Sequence, residues 1–88
     1  MFSLWGKTFH NNRLVKDYVA NINDDDTRTH KVFKALAEIC QEFNIEQPMW
    51  LEKNIREFQK FSHVRFSQDN FIEEINFDYL EIRILEDD

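Results

Sequence analysis

The stretch TRTHKVFKALAEICQEFN, residues 27–44, decides the fold because its apolar residues recur with the period of an amphipathic α-helix. The residues predicted to face inward are Val32, Phe33, Leu36, Ile39, Cys40 and Phe43, and those predicted to face outward are Lys31, Lys34, Glu38 and Gln41. The preceding run Asp24–Asp26 suits a helix N-terminus, where carboxylates cap free N–H groups. Asn44 is the expected end, since Asn tolerates the left-handed conformation that closes many helices.

Residues 1–22, before this helix, are predicted to form a β-hairpin. Asn11-Asn12 lies between two strand-like runs, and Asn tolerates the positive φ that a two-residue hairpin turn requires. In the second run the residues of one parity, expected on one face, are Leu14, Tyr18, Ala20 and Ile22. Gly6 inside the first strand predicts either a bulge or a close backbone contact.

Residues after Asn44 predict a second helix and a C-terminal strand. Pro48 is expected to open a helix over about 49–61, and the apolar stripe of that helix is Leu51, Ile55 and Phe58. A short extended segment is expected at 64–66. The last run, about 76–85, is apolar on both faces. This is typical of a central strand, or of a strand with a helix on one side and a partner on the other.

These elements predict one α+β domain over residues 1–88. The expected architecture is a two-layer sandwich, in which a small, mainly antiparallel sheet is packed by two helices. The hairpin and the C-terminal strand supply that sheet, and the order of its strands stays open. Nine Phe, two Trp and two Tyr supply the large side chains that so short a chain needs for its core.

Composition favours a cytoplasmic protein without cofactors. Cys40 is the only cysteine, whereas small secreted domains usually carry several disulfides. No apolar run approaches the length of about 18–20 residues that spans a bilayer, and the N-terminus lacks the pattern of a signal peptide. A single glycine excludes a P-loop, a dinucleotide-binding fingerprint and a nucleophile elbow.

No metal site is predicted either. His10, His30, His63 and Cys40 lack zinc-ligand spacing, and the Asp24–Asp26 run lacks the EF-hand pattern. An enzyme or small-ligand site assembled from distant residues stays open, with Asp24–Asp26, His30 and Glu73 as its candidates.

The formal net charge of −6 is unevenly distributed. Residues 53–65 carry four basic residues against one acidic residue, whereas residues 66–88 carry Arg83 alone against eight acidic residues. The acidic whole argues against general affinity for nucleic acid, which needs clustered positive charge. The carboxylates of residues 69–88 could imitate the phosphates of a nucleic acid. Apolar residues alternate with these carboxylates, however, which is equally typical of a folded strand with one solvated face.

The basic segment supplies an alternative function. Lys53, Arg56 and Lys60 form a stripe that His63 and Arg65 could extend beside Phe61 and Phe66. Single-stranded nucleic acid binds such surfaces, with phosphates on the cations and bases on the rings. The competing interpretation is that the phenylalanines are core and the cations are the solvated side of an amphipathic helix.

Aromatic residues exceed what such a sheet obviously needs. Trp5, Phe9 and Trp50 are therefore candidates for an exposed patch, which marks a partner or dimer surface. The favoured hypothesis is a non-catalytic protein-interaction module, with a homodimer as one form of it. Its partner is an unknown protein or a second copy, and no membrane is involved.

Three strings, DDDTRTHKVFKALAEIC, QPMWLEKNI and RFSQDNFIEEINFDYLEI, resemble small bacterial proteins that occur as stand-alone open reading frames. The resemblance extends from about Asp24 to Glu81. It implies a free-standing domain of uncharacterised function and transfers no functional residue.

Overall fold

Four strands form one antiparallel sheet in the computed structural model, which describes residues 1–87. The strands are β1 (Phe2–His10), β2 (Arg13–Ile22), β3 (His63–Phe66) and β4 (Tyr79–Glu86), in the order β2-β1-β4-β3. Helix α1 (Arg28–Phe43) packs over β1 and β2, and helix α2 (Glu52–Phe61) packs over β3. The predicted two-layer α+β sandwich is confirmed. Asp88, the last residue of the acidic end, lies outside the described residues.

The hairpin closes through the predicted turn. Asn11 and Asn12 have φ values of 51° and 63°, the left-handed conformations that such a turn requires. The register then shifts, because Thr8 faces Lys16 while Phe9 faces Leu14. One extra residue in β2 turns Leu14 to the face opposite the helices, so the prediction that Leu14 shares a face with Ile22 is wrong.

Helix α1 begins and ends at local capping signals. The Thr27 hydroxyl accepts a hydrogen bond from the backbone N–H of His30, and the left-handed Asn44 closes the helix as predicted. The inward prediction fails for Phe33, which is 48% exposed, and the outward prediction fails for Lys31, which is buried. Lys31 lies two turns before Glu38, which accepts a hydrogen bond from Tyr18 of β2, so the sheet covers this side of α1.

Gly6 allows α1 to approach the sheet closely. A Cβ atom at this position would overlap Cγ2 of Ile39, so any side chain would force the helix away. The predicted close contact at Gly6 is confirmed. The register shifts lie elsewhere, with the extra residue in β2 opposite Thr8 and Phe9 and in β4 opposite Ser3 and Leu4. Leu4, Ile39 and Ile82 belong to the continuous core between the two layers.

Helix α2 starts later than predicted. Pro48 is buried in the loop before it, and the helix begins at Glu52 because Asn54 caps it by accepting a hydrogen bond from the Leu51 N–H. Only Phe58 of the predicted stripe is buried, whereas Leu51 and Ile55 are exposed. The predicted stripe therefore contributes only Phe58 to the core.

Strand β4 lies between β1 and β3, so the central position is the one of the two expected placements that the structure shows. It begins at Tyr79, three residues later than expected. No helix within residues 1–87 is both long enough and apolar enough to cross a membrane.

Candidate interaction surfaces

An apolar groove of about 410 Å³ runs between α1 and α2. Val32 and Phe58 line its buried side, and Phe33 and Ile55 line it from the two helices. Phe33 is 48% exposed and Ile55 is 43% exposed, so large apolar side chains border the groove on both sides. Exposed apolar groups clustered in this way mark binding surfaces more often than isolated ones do.

Trp50 connects the groove to the core. Its ring packs edge-on against Phe33, Phe58 and Phe66, with centroid distances of 6.2, 5.5 and 4.9 Å. These contacts leave the half-buried indole at the groove, where it is among the lining residues. Of the three aromatics proposed from the sequence, Trp50 is the one that this groove contains.

Trp5 and Phe9 lie on the outer face of the sheet, opposite the helices. The Trp5 Nε1–H donates to the Asp17 carboxylate at 3.0 Å, and Lys7 Nζ lies 3.9 Å from the Trp5 ring centroid. Phe9 stacks on Tyr79 with centroids 5.0 Å apart. The three proposed aromatics therefore occupy two opposite surfaces of the molecule.

A buried carboxylate organises the centre of this outer face. Glu81 is 5% exposed, and its two oxygens accept hydrogen bonds from Lys7 at 2.9 Å and Arg65 at 3.1 Å. Burial raises the pKa of Glu81, but the bonds from Lys7 and Arg65 outweigh that effect and hold the pKa below its ordinary value. Arg65 also lies with its guanidinium carbon 4.5 Å from the Tyr79 ring centroid. The charged groups and aromatic rings at the centre of this face therefore already have partners within the chain.

The five proposed basic residues do not share one face. Lys53, Arg56 and Lys60 are exposed on α2, where Arg56 pairs with Glu52 at 2.6 Å. His63 and Arg65 project from β3 on the outer side of the sheet, which is the other layer of the molecule. The helical stripe matches the interpretation of a solvated helix side.

Phe61 joins the two groups at the edge of the sheet. Lys60 Nζ lies 5.3 Å from the Phe61 ring centroid, and Phe61 stacks on His63 at 5.8 Å. The Phe61 ring is 54% exposed, whereas Phe66 is completely buried and belongs to the core. Nδ1 of His63 is buried and has no hydrogen-bond partner within residues 1–87.

The acidic run before α1 forms a local ion cluster. Lys34 Nζ binds Asp24 at 2.7 Å and Asp26 at 3.0 Å, and His30 Nδ1 lies 2.9 Å from Asp26. Hydrogen bonds from Lys34, then from His30 and the Thr27 backbone, hold the pKa of Asp26 well below its ordinary value. The cluster therefore ties the loop before α1 to the first two turns of the helix.

Glu73, the remaining candidate for a polar site, lies in the loop before β4, where its N–H donates to Glu46. Within residues 1–87, no group of three His, Cys, Asp or Glu side chains could hold a metal ion.

Cys40 is buried in the core as predicted. Burial raises the pKa of its thiol to about 12, which keeps the thiol protonated and unreactive at neutral pH.

A second cavity, of about 310 Å³, was not anticipated from the sequence. Its polar lining residues are Thr8, Lys16, Asn44 and Asn76, which belong to four separate segments of the chain. No motif connects these residues, because they meet only where the hairpin, the end of α1 and the loop before β4 pack together.

No family model, no curated protein and no solved structure matches this chain. The resemblance to small bacterial proteins therefore stays a prediction.

Proposed function

We propose that this chain is a non-catalytic protein-interaction module that docks through the groove between α1 and α2, with a second copy of the chain as its partner. The observation that carries the proposal is Phe33, which stands 48% exposed beside an apolar groove that contains Trp50. Covering the exposed part of Phe33 would remove about 100 Å² of apolar surface from water, which is worth about 2.5 kcal/mol. A cytoplasmic location belongs to the same proposal and rests on the single, buried Cys40.

Self-association fits the groove because the same surface offers a projecting ring and an apolar recess. In a two-fold symmetric dimer, each copy presents the same patch to the other. Phe33 of one copy would then occupy the groove of its partner, and the reverse contact would form at the same time. The side chains that would meet are mainly apolar, although Arg28, Thr29 and Gln59 also line the groove and would need to keep hydrogen-bond partners at its rim.

The charges nearest the groove favour such a contact. Arg28 lies 3.3 Å from Asp87, and Arg56 lies 2.6 Å from Glu52, so these cations are neutralised within one chain. Because each of these cations already has a carboxylate partner in its own chain, bringing two copies together would not place unpaired cations against each other. A standard interface covers about 800 Å² on each partner, compared with a total accessible surface of 5756 Å² for this chain. The two exposed helix flanks beside the groove would have to contribute most of that area.

Sedimentation of the purified protein over about 1–100 µM tests the proposal. We expect a reversible dimer in the wild type and a monomer in Phe33→Glu and, independently, in Ile55→Glu. Leu14→Glu is the matched control, because Leu14 is 50% exposed but lies on the opposite face of the sheet. A monomeric wild type at the highest concentration, or equal weakening by the control, would contradict the proposed dimer.

Single-stranded nucleic acid binding is the second candidate, favoured by the contiguous group Lys60, Phe61 and His63. The exposed Phe61 ring offers one stacking surface beside two basic groups. The sheet adds little to it, because Lys7 covers Trp5, while Phe9 and Arg65 stack against Tyr79. A titration with short single strands at low salt, comparing the wild type with Phe61→Ser, tests this candidate. Equal binding by the two proteins would exclude Phe61 as a stacking platform.

A further inference from the structure

The cavity of about 310 Å³ lies where the β2 bulge meets the end of α1. It shares no lining residue with the interhelical groove. Phe43 and Phe77 provide apolar walls, and its volume falls at the lower end of the range for small-molecule sites. The cavity therefore has the size and the mixed lining of a site for a small ligand.

Thr8 is the buried polar group of this cavity. Its side chain is 3% exposed and points toward the helical layer, and its hydroxyl has no hydrogen-bond partner within residues 1–87. Among residues 1–87, His63 Nδ1 is the only fully buried polar side-chain atom without a partner, so the Thr8 hydroxyl is still open to the cavity. There it can bind water or a ligand.

Lys16 is the residue that faces Thr8 across the β1–β2 ladder. The two side chains share a face of the sheet, so an ammonium group and a hydroxyl converge on the cavity. Lys16 makes no ion pair with any residue that the structure describes. This contrasts with Lys7 and Lys34, which both bind carboxylates.

Two amides complete the polar lining. Asn44 follows the last turn of α1, and Asn76 lies in the loop before β4. In the part of the chain that the structure covers, neither side chain makes a hydrogen bond. Four unpartnered polar side chains thus meet around one cavity, and three of them can donate through neutral groups.

The charge of the lining residues favours a ligand that carries a negative charge. The chain has seventeen acidic residues, yet none of them is among the residues that line the cavity. The C-terminal carbonyls of α1 would oppose an anion, but the N–H groups of Asn44 and Ile45 cap those of Gln41 and Cys40. Lys16 is left as the only charge in the lining.

We propose that this cavity binds a small carboxylate ligand with an apolar body. The Lys16 ammonium and the Thr8 hydroxyl hold the carboxylate, with Asn44 and Asn76 as further donors. The apolar body lies against Phe43 and Phe77. A ligand of this size should bind with a Kd of about 0.1–5 mM.

Amide-resolved NMR titration of the full chain with phenylacetate tests the site. We expect saturable shifts at Thr8, Lys16, Asn44 and Asn76. Phenylacetamide, which keeps the shape and removes the charge, should bind at least about tenfold more weakly. Phenethylamine, which reverses the charge, should not shift these residues.

Matched variants separate the site from general charge effects. Lys16→Gln should weaken phenylacetate binding about tenfold, whereas Lys53→Gln, which makes the same change on the solvated side of α2, should leave it unchanged. Thr8→Val keeps the shape of Thr8 and should weaken binding without unfolding the protein, because the hydroxyl it removes has no partner. The proposal is overturned if phenylacetate causes no shifts at the cavity, if the amine binds as well as the acid, or if Lys16→Gln binds like the wild type.

Discussion

Glu81 shows how one residue on the open face of the sheet is stabilised by its neighbours. Its carboxylate is nearly inaccessible and accepts hydrogen bonds from both Lys7 and Arg65. A carboxylate buried between two cations stays ionised, and removing it would leave both cations without their partner. Glu81 thus ties β1, β3 and β4 together at the level of side chains.

The pH dependence of stability follows from the lowered pKa of Glu81. Because the folded pKa lies below the ordinary value of 4.5, its stabilising contribution is complete above that value and is lost as pH falls through the folded pKa. We expect Glu81→Gln to lower the free energy of unfolding by about 2 kcal/mol at pH 7. The difference from the wild type should shrink toward pH 3.

Urea unfolding of both proteins at pH 7, 4.5 and 3 measures this difference. Asp26 also has a lowered pKa, so Asp26→Asn in both backgrounds separates the two contributions. A difference between wild type and Glu81→Gln that stays constant across this range would exclude Glu81 as the titrating group.

At the scale of elements, two asparagines decide where α2 begins. Asn70 Nδ2 donates to Asn54 Oδ1 at 2.7 Å and to the Met49 carbonyl at 2.8 Å, and both side chains are buried. Asn54 in turn accepts the Leu51 N–H at the start of the helix. The network joins the loop before α2 to a short 3₁₀ turn, Gln68–Asn70, that follows β3. This connection fixes α2 and therefore one wall of the groove.

Asn70→Asp tests this network with almost no change in shape. The new oxygen would face two acceptors, Asn54 Oδ1 and the Met49 carbonyl, instead of donating to them. We expect the free energy of unfolding to fall by about 2–4 kcal/mol, as measured by urea denaturation at pH 7. Asn23→Asp, in an exposed loop, is the control and should change stability by less than about 0.5 kcal/mol. Equal small effects at both positions would show that the network does not hold α2.

For the whole molecule, the net charge of −6 separates the two candidate functions. Two copies of an acidic protein repel each other, and salt screens that repulsion over about 10 Å at 0.1 M. We expect the dimer Kd to fall about twofold to fivefold between about 0.05 and 0.5 M NaCl. Nucleic-acid binding would weaken steeply over the same range, because phosphate contacts release counterions.

Sedimentation at several salt concentrations gives the dimer Kd, and a parallel titration with a short single strand gives the nucleic-acid Kd. The Phe33→Glu monomer serves as the control, since its sedimentation should not respond to salt. A dimer that dissociates as salt rises would mean that ion pairs, and not the apolar groove, hold it together.

Several features of the fold are determined locally and could be predicted from sequence. The helix at residues 27–44, its end at Asn44 and the Asn11-Asn12 turn each depend on residues within a few positions of one another. Periodicity and capping act over that range, so they can be identified without knowing what the element packs against. The same applies to the two-layer α+β architecture, which follows from the sequence of elements.

Only the tertiary structure decided which residues are available for binding. Helical period places Phe33 and Ile55 on apolar arcs, but the spacing of the two helices over the sheet leaves both side chains exposed. The bulge in β2 sets the pairing of Thr8 with Lys16, and the cavity also includes Asn44 from the end of α1 and Asn76 from the loop before β4. Exposure and convergence depend on contacts between residues far apart in the chain, and no local pattern in the sequence encodes them.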